Sequence, residues 1–470
     1  MTILIVLALT AICSLSEEKP NILYILADDL GFGDLGCYGQ EVIQTPHIDK
    51  LCREGMKFTN HHSGSTVCAP SRACLMTGQH TGHVWVRSNG NIQLRADGED
   101  LTIARVLKDI GYHTAMIGKA GTGCTVSVGQ PNEKGFDYFY GFNSHALAHH
   151  YFPKEVYRND QKVRFPNNRR HTGDTYIHDE FMKEIMGYLD QRKKDGRPFF
   201  LHYAALIPHA TIVAPDEWIE RYRGKVDEVS PFKGGGGGGR NAQYGPVEEP
   251  KATFAGMVSR LDWEIGEIRK KLEELGLADN TLIMFSSDNG PHGEGGHSPD
   301  HFGSNGPLRG GKRDMFEGGV RVPLIAWWPG KIAAGSESEH LSAFWDVMPT
   351  LCELTGASSP ESIDGISFLP TLLGQGGQAQ HDYLYWEFYE QGGKRAALTQ
   401  KWKAVQLNVG GGGDPMMLFD IHADIGEKND VAAQYPEVVD QFRGIFKKAH
   451  TPSPKVKWPA AAKGKIRRSK

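Results

Sequence analysis

Two apolar runs far apart in the chain end in the same way, and that repetition limits the possible folds more than any other feature. Residues 21–27 (Asn-Ile-Leu-Tyr-Ile-Leu-Ala) and 281–285 (Thr-Leu-Ile-Met-Phe) are continuous hydrophobic stretches, as expected for parallel strands covered on both faces. The first closes on Asp28-Asp29; the second, after Ser286-Ser287, closes on Asp288-Asn289-Gly290. Two carboxylates at the end of a buried strand repel each other and lose hydration, so they need a cation or strong donors. Solvated turn aspartates are the plain alternative for either pair alone. In open α/β sheets, ligands bind outside the carboxyl ends of the strands. If the two strands lie side by side, four oxygen-donor side chains face one point, a set suited to calcium or magnesium.

Further segments end on polar groups in the same manner. Tyr112 to Ile117 reads as a strand that ends in Gly118-Lys119, and Phe199 to Leu206 as one that ends in Ile207-Pro208-His209. Lys119 would place a point charge on an anion. Val67-Cys68-Ala69-Pro70-Ser71-Arg72 has a different geometry. Proline is favoured in the first turn of a helix, so the run to Thr77 is predicted helical, with Gly78 as its stop. Cys68 then sits at a helix N-terminus, where anions bind, and Arg72 lies on the same face. A thiol, a helix dipole and a guanidinium converging on one point suit a tetrahedral oxyanion. A buried cysteine before a Pro-capped helix is the bland alternative.

The pattern Cys-x-Pro-Ser-Arg over 68–72 resembles the signature of the type I, formylglycine-dependent sulfatases, including the arylsulfatase-like and N-acetylgalactosamine-6-sulfatase-like members. The resemblance extends from about Asn21 to Asp430. It takes in the two acidic strand ends, the Pro198-Phe199-Phe200…Pro208-His209 segment, and the block from Gly306 to Pro323 that contains Lys312. It implies an α/β, alkaline-phosphatase-like fold: a large mixed sheet sandwiched by helices, with a smaller C-terminal antiparallel sheet plus helix. It also implies oxidation of Cys68 to formylglycine by a maturation enzyme, and a calcium ion, rather than magnesium, held by Asp28, Asp29, Asp288, Asn289 and the modified residue 68. Arg72, Lys119, His209 and Lys312 are then the expected sulfate contacts, with His209 protonating the departing alcohol. The family usually carries Gly-Lys-Trp-x-x-Gly around the lysine, and many members place a histidine two residues after it; here those positions are Ala120 and Gly121. His149, in Ala148-His149-His150-Tyr151-Phe152-Pro153, is the expected substitute base. His292, His297 and His301 admit a zinc reading, but the neighbouring ligand set is purely oxygen-based.

Composition sets the remaining bounds. A balance of 52 Lys+Arg against 56 Asp+Glu argues against nucleic-acid binding by the main body. From Lys455 to Lys470 the tail holds seven basic residues and no acid, as expected of a solvated terminus. Residues 1–16 read as a secretory signal, which implies a secreted or periplasmic protein, and no other stretch is apolar enough to span a bilayer. The seven cysteines show neither a disulfide framework nor metal-type Cys-x-x-Cys spacing. Expected boundaries are a catalytic domain over 17–373, an α+β subdomain over 374–452 and a basic tail over 453–470. The expected reaction is hydrolysis of a sulfate ester on an aryl or carbohydrate substrate, such as a glycosaminoglycan or algal polysaccharide. The loops at 146–170 and 230–250, the latter with six consecutive glycines, are expected to set the substrate. The alternatives are a phosphoester or phosphonate hydrolase relative and a non-catalytic carbohydrate-binding relative.

Overall fold

The computed structural model describes residues 18–90, 92–96, 98–122, 129–144, 147–235 and 244–459. The leader with Cys13, Cys124, Gly236 to Gly239 of the glycine run, and residues 460–470 of the basic tail lie outside them.

Ten strands form one sheet. In chain order they are β1 (Asn21–Ala27), β2 (Met56–Phe58), β3 (His113–Lys119), β4 (Tyr138–Phe142), β5 (Glu155–Arg158), β6 (Gln161–Arg164), β7 (Phe199–Ala204), β8 (Thr281–Ser287), β9 (Leu324–Trp327) and β10 (Ser336–Ser338). Their spatial order is β10-β2-β9-β8-β1-β7-β3-β4-β5-β6. The central run β8-β1-β7-β3-β4 is parallel, and β9 is antiparallel to β8. β1 alternates between two cores. Leu23, Ile25 and Ala27 pack under the long helix Pro250–Glu274 and the helix Ile177–Asp195. Ile22, Tyr24 and Leu26 pack on the opposite face with the helices Ile103–Asp109 and Val347–Thr355. That two-sided burial is why the strand reads as an unbroken apolar run.

The helix Pro250–Glu274 buries the stripe Val258, Leu261, Ile265, Ile268 and Leu272 against the sheet. Two features depart from the sequence reading. The segment 146–170, expected as a loop, contains the β5–β6 hairpin that extends the sheet edge. Helix Ile177–Asp195, with Phe181, Ile185 and Leu189 buried, was not marked.

Beyond residue 373 a second sheet forms from β11 (Leu384–Phe388), β12 (Lys394–Leu398), β13 (Trp402–Leu407) and β14 (Met417–Asp420), all antiparallel. Helix Pro436–Lys448 covers one face through Val438, Val439, Phe442 and Phe446. The other face, with Leu384, Trp386 and Phe388, packs on Val67, Ala69, Ala73 and Cys74. The Cys68–Thr77 helix is thereby enclosed, and all ten of its residues are buried. The tail, expected to be solvated from Ser453, packs at least to Trp458, whose ring stacks on Tyr389 at 4.1 Å. Among the described residues Cys37, Cys52, Cys68, Cys74 and Cys352 are free thiols, and no helix is long and apolar enough to cross a membrane.

Candidate functional site

Register places the acids. Ala27 pairs with Ser287 across β1 and β8, so Asp28-Asp29 and Asp288-Asn289 leave adjacent parallel strands at the same end. The Asp28 N–H donates to Ile207 O, which brings the turn after β7 alongside; β3 lies next to β7 and delivers Lys119. Asp28, Asp29, Lys119, Asp288 and Asn289 have no exposed surface, and His209 has 2 %. Asp29 takes a positive φ of 68°, a strained backbone for a non-glycine residue, and its N–H donates to Asp288 Oδ1 at 3.0 Å.

Cations lie directly on these acids. Lys119 Nζ donates to Asp28 Oδ2 at 2.6 Å and Lys312 Nζ to Asp29 Oδ2 at 2.5 Å. Asn289 Nδ2 donates to Asp29 Oδ1 at 2.7 Å. Burial works against ionisation of Asp29, but Lys312 and His292 outweigh it and hold the carboxyl well below its usual range. Asp288 is pushed up to about 7 by burial and by the Asp28 charge, against the pull of Arg72.

Arg72 is turned onto the acids. Its Nε and Nη2 each lie 2.8 Å from Asp288 Oδ2, and its Nη1 donates to Lys119 O at 2.9 Å. A carboxylate buried at a strand end needs a counter-charge, and Arg72 supplies it. Gly121 makes room for this. At its φ of +74°, an added Cβ would stand 2.6 Å from Arg72 Cδ. In this chain, therefore, a side chain at 121 would have to displace Arg72.

Cys68 opens its helix after Val67, and the helix ends at Gly78 in the left-handed conformation, as expected. Oxygen, sulfur and nitrogen ligand atoms of Asp28, Asp29, Cys68 and His209 lie within 4.8 Å of one another. Burial pushes the Cys68 thiol up to about 12, so the unmodified side chain is protonated at neutral pH.

His209 is held between several groups. Lys312 Nζ donates to its Nε2 at 3.2 Å, and Nε2 lies 3.5 Å from Asp29 Oδ2. Burial and the flanking Lys312 and Lys119 charges hold its pKa well below the usual value. His149 joins it: the two rings stack with centroids 4.6 Å apart and planes 10° apart. Burial and Lys119 lower His149 to about 3. The structure thus brings together Asp28, Asp29, Cys68, Arg72, Lys119, His149, His209, Asp288, Asn289 and Lys312, each of them a candidate from the sequence.

It did not anticipate Glu294 and Arg313, which meet at 2.8 Å beside Lys312. Their only sequence signal is membership of the glycine-rich loops that follow β8. His292 is committed locally: Nε2 lies 3.0 Å from Pro208 O, and Nδ1 accepts from the Glu294 N–H. His297 stacks on Phe254 at 4.0 Å, and His301 packs on Phe302. The three histidines therefore do not converge on one ion; His292 alone has its ring within 4.8 Å of ligand oxygens of Asp29 and Glu294.

The donor set fits a hard cation. Asp28 Oδ1 and Asn289 Oδ1 are buried and accept no hydrogen bond, so two oxygens are left without the partners that burial demands. Ammonium groups already stand on the neighbouring oxygens, which marks the place as one that attracts positive charge.

Comparison with known proteins identifies the family. Residues 20–357 match the family described as Sulfatase, and residues 310–450 match the C-terminal region of N-sulphoglucosamine sulphohydrolase. The chain is 32 % identical over 409 residues to N-acetylgalactosamine-6-sulfatase of Canis lupus familiaris, covering 82 % of this chain and 71 % of that one. It is 29 % identical over 547 residues to human (Homo sapiens) steryl-sulfatase, covering 92 % and 87 %. The crystal structure of Ps i-CgsB in complex with k-i-k-neocarrahexaose superposes with a TM-score of 0.78 at 28 % identity, covering 94 % and 95 %. The chain belongs to the sulfatase family and is a sulfuric ester hydrolase.

Proposed function

We propose that the chain removes sulfate from a carbohydrate, using a formylglycine made from Cys68 and a calcium ion held by Asp28, Asp29, Asp288 and Asn289. The observation that carries this reading is the buried meeting of two acidic strand ends with Cys68, Lys119, His209 and Lys312. The carbohydrate assignment draws on a relative that acts on N-acetylgalactosamine 6-sulfate and on a structural neighbour bound to neocarrahexaose. Oxygen-only strand-end donors favour calcium over a softer metal. When bound, the ion supplies a Lewis acid that lowers the pKa of an oxygen it touches. The matured residue 68 supplies a hydrated aldehyde, one hydroxyl to attack sulfur and a second through which sulfate is expelled. A protonated thiol supplies neither.

The chain's own groups do the rest. Lys119 and Lys312 screen the negative charge of the ester and fix it for in-line attack. Arg72 positions Asp288 and keeps that strand end aligned with Lys119. The Lys312–His209 couple holds one proton, carried on Lys312 Nζ and donated to His209 Nε2, beside the cluster for the departing alcohol. His149, neutral and stacked on His209, takes the proton in the second half of the reaction. Export, with removal of residues 1–16, and maturation by a formylglycine-generating enzyme complete the proposal.

Mass spectrometry of the peptide carrying residue 68, from cells with and without that maturation enzyme, tests the nucleophile. Conversion that tracks aryl sulfatase activity is expected; activity in the unconverted protein refutes it. Calcium added to chelated protein should raise the unfolding midpoint, by about 2.7 kcal/mol of stability at a hundredfold excess over Kd. Asp28→Asn should abolish the rise. In a pre-steady-state assay His149→Ala should keep the first turnover and slow the second step. An unchanged second step removes His149 from the mechanism.

A further inference from the structure

Beside the buried cluster the structure opens a cleft of about 490 Å3, lined by Glu294, Asp300, Asn305, Lys312 and Arg313 among others. Lys312 belongs to both places: its ammonium caps Asp29, and it also forms part of the cleft wall. A sulfate held on Lys312 would therefore have this cleft next to it.

Arg313 is the unusual member of that wall. In the same loop system Gly306 and Gly310 adopt φ of 55° and 79°, where glycine costs nothing sterically; Arg313 adopts 78° and is kept as arginine. Its backbone is held there from both sides. The Arg313 N–H donates to Thr66 O at 2.9 Å, and its carbonyl accepts from Lys394 Nζ at 2.7 Å. A strained position fixed this firmly places a side chain for a purpose. The guanidinium is aimed as well: Nη2 lies 2.8 Å from Glu294 Oε1, and Glu294, 7 % exposed, receives the Tyr244 hydroxyl on its other oxygen at 3.3 Å. Glu294 thus lies against one end of the guanidinium as an ion pair, without an aligned hydrogen bond, while the Arg313 side chain stays 16 % exposed in the cleft wall.

We propose that Arg313 is a specificity residue that binds a second oxyanion on the substrate, a carboxylate or sulfate carried by the sugar portion adjoining the sulfate that is removed. This rests on the sulfatase reading above. The Lys312 and Arg313 cations are adjacent in sequence but separately directed, one to the reacting sulfate and one to its neighbour.

The test uses the matured full-length protein and Arg313→Gln, with Arg313→Lys as the charge-retaining variant. Three probes are compared: 4-methylumbelliferyl sulfate, which has no second anion; a 6-sulfated N-acetylgalactosamine–uronate disaccharide; and the same sugar carrying two sulfates and no uronate. The two sugars are measured as competitive inhibitors of aryl sulfate hydrolysis, so neither must be turned over. With Arg313→Gln, inhibition by a doubly charged sugar should weaken at least about tenfold more than KM for the aryl sulfate changes, the loss expected for one charge-assisted fork. Arg313→Lys should recover part of it, and the advantage of wild type should shrink at high salt. The sugar that loses more identifies the carboxylate or the sulfate as the partner. Equal factors on inhibitors and aryl sulfate, or no change on either sugar, overturn the inference alone. A matured wild-type protein without aryl sulfatase activity overturns the proposed function, and this inference with it.

Discussion

Gly121 offers a sharp test of how the site is built, because the resemblance to the family leads one to expect a histidine at its position. Gly121→Ala adds one carbon 2.6 Å from Arg72 Cδ, at a backbone φ of +74°. The left-handed backbone alone costs a non-glycine residue about 1–2 kcal/mol. Overpacking a buried site adds about 1–3 kcal/mol. Arg72 has little room to yield: it is 2 % exposed, with its Nε 2.8 Å from Asp288 and its Nη1 2.9 Å from Lys119 O. The expected loss is therefore about 2–5 kcal/mol, read as a lower urea midpoint at unchanged m. Activity should fall with it, because Arg72 is displaced from Asp288; at least about tenfold in kcat/KM corresponds to one disturbed charge-assisted contact. Gly121→His, which supplies the expected residue, should do worse than alanine, since the larger side chain meets the same obstacle. If Gly121→Ala keeps its stability within about 0.5 kcal/mol, the range of an ordinary surface change, and its activity, the packing argument is wrong. If Gly121→His raises kcat, His149 has not taken over the role.

Two further perturbations probe the scaffold. Lys403, on β13 with no exposed surface, lies 2.7 Å from Glu317 and 3.4 Å from Glu427, so Lys403→Met should strip Glu427 of its cation, while Glu317 keeps Arg321 at 2.6 Å, and destabilise by about 3–5 kcal/mol. Burial and Glu317 already push Glu427 up to about 7, so the deficit of the variant should shrink on acidification; a deficit that grows in acid refutes this. His381 lies 2.8 Å from Asp346; burial pulls its pKa down, but the carboxylate outweighs burial and holds it above the usual 6.5. The native state then binds a proton that the unfolded chain releases, so the contribution is complete below the unfolded pKa and is lost as pH rises through the folded one. The stability difference between wild type and His381→Gln should be largest near about pH 5.5 and fall in alkali, and a difference flat in pH sinks it.

What could be read from the sequence follows from where each signal resides. The strand ends could be read because burial on both faces keeps residues 22–27 of β1 and 282–285 of β8 free of charge and almost wholly apolar, which makes Asp28-Asp29 and Asp288-Asn289 conspicuous. The Cys68 helix could be read for a similar reason: Pro70 and Gly78 mark its limits chemically. The β5–β6 hairpin could not, since Gln161–Arg164 lies on an exposed sheet edge and lacks the alternation of a half-buried strand. Its one local cue was Asn159-Asp160, with Asn159 at a φ of 53° in the turn.

The site divides along the same line. Residues fixed by one strand end, such as Lys119 and His209, could be assigned from their own segments. Arg72 could not, because its partner is chosen by strand order. Only when β8 lies beside β1, with β7 between β1 and β3, does Asp288 come within reach of the guanidinium and Lys119 O within reach of Nη1. Gly121 then changes from a lost catalytic residue into a steric requirement of that pairing. Position 121 is blocked by Arg72, while the 3-10 turn that carries His149 delivers an imidazole onto His209 from another segment. A departure from a family pattern is therefore best judged by what surrounds the position: here Arg72 packs against Gly121, and a histidine stands beside the cluster by a different route.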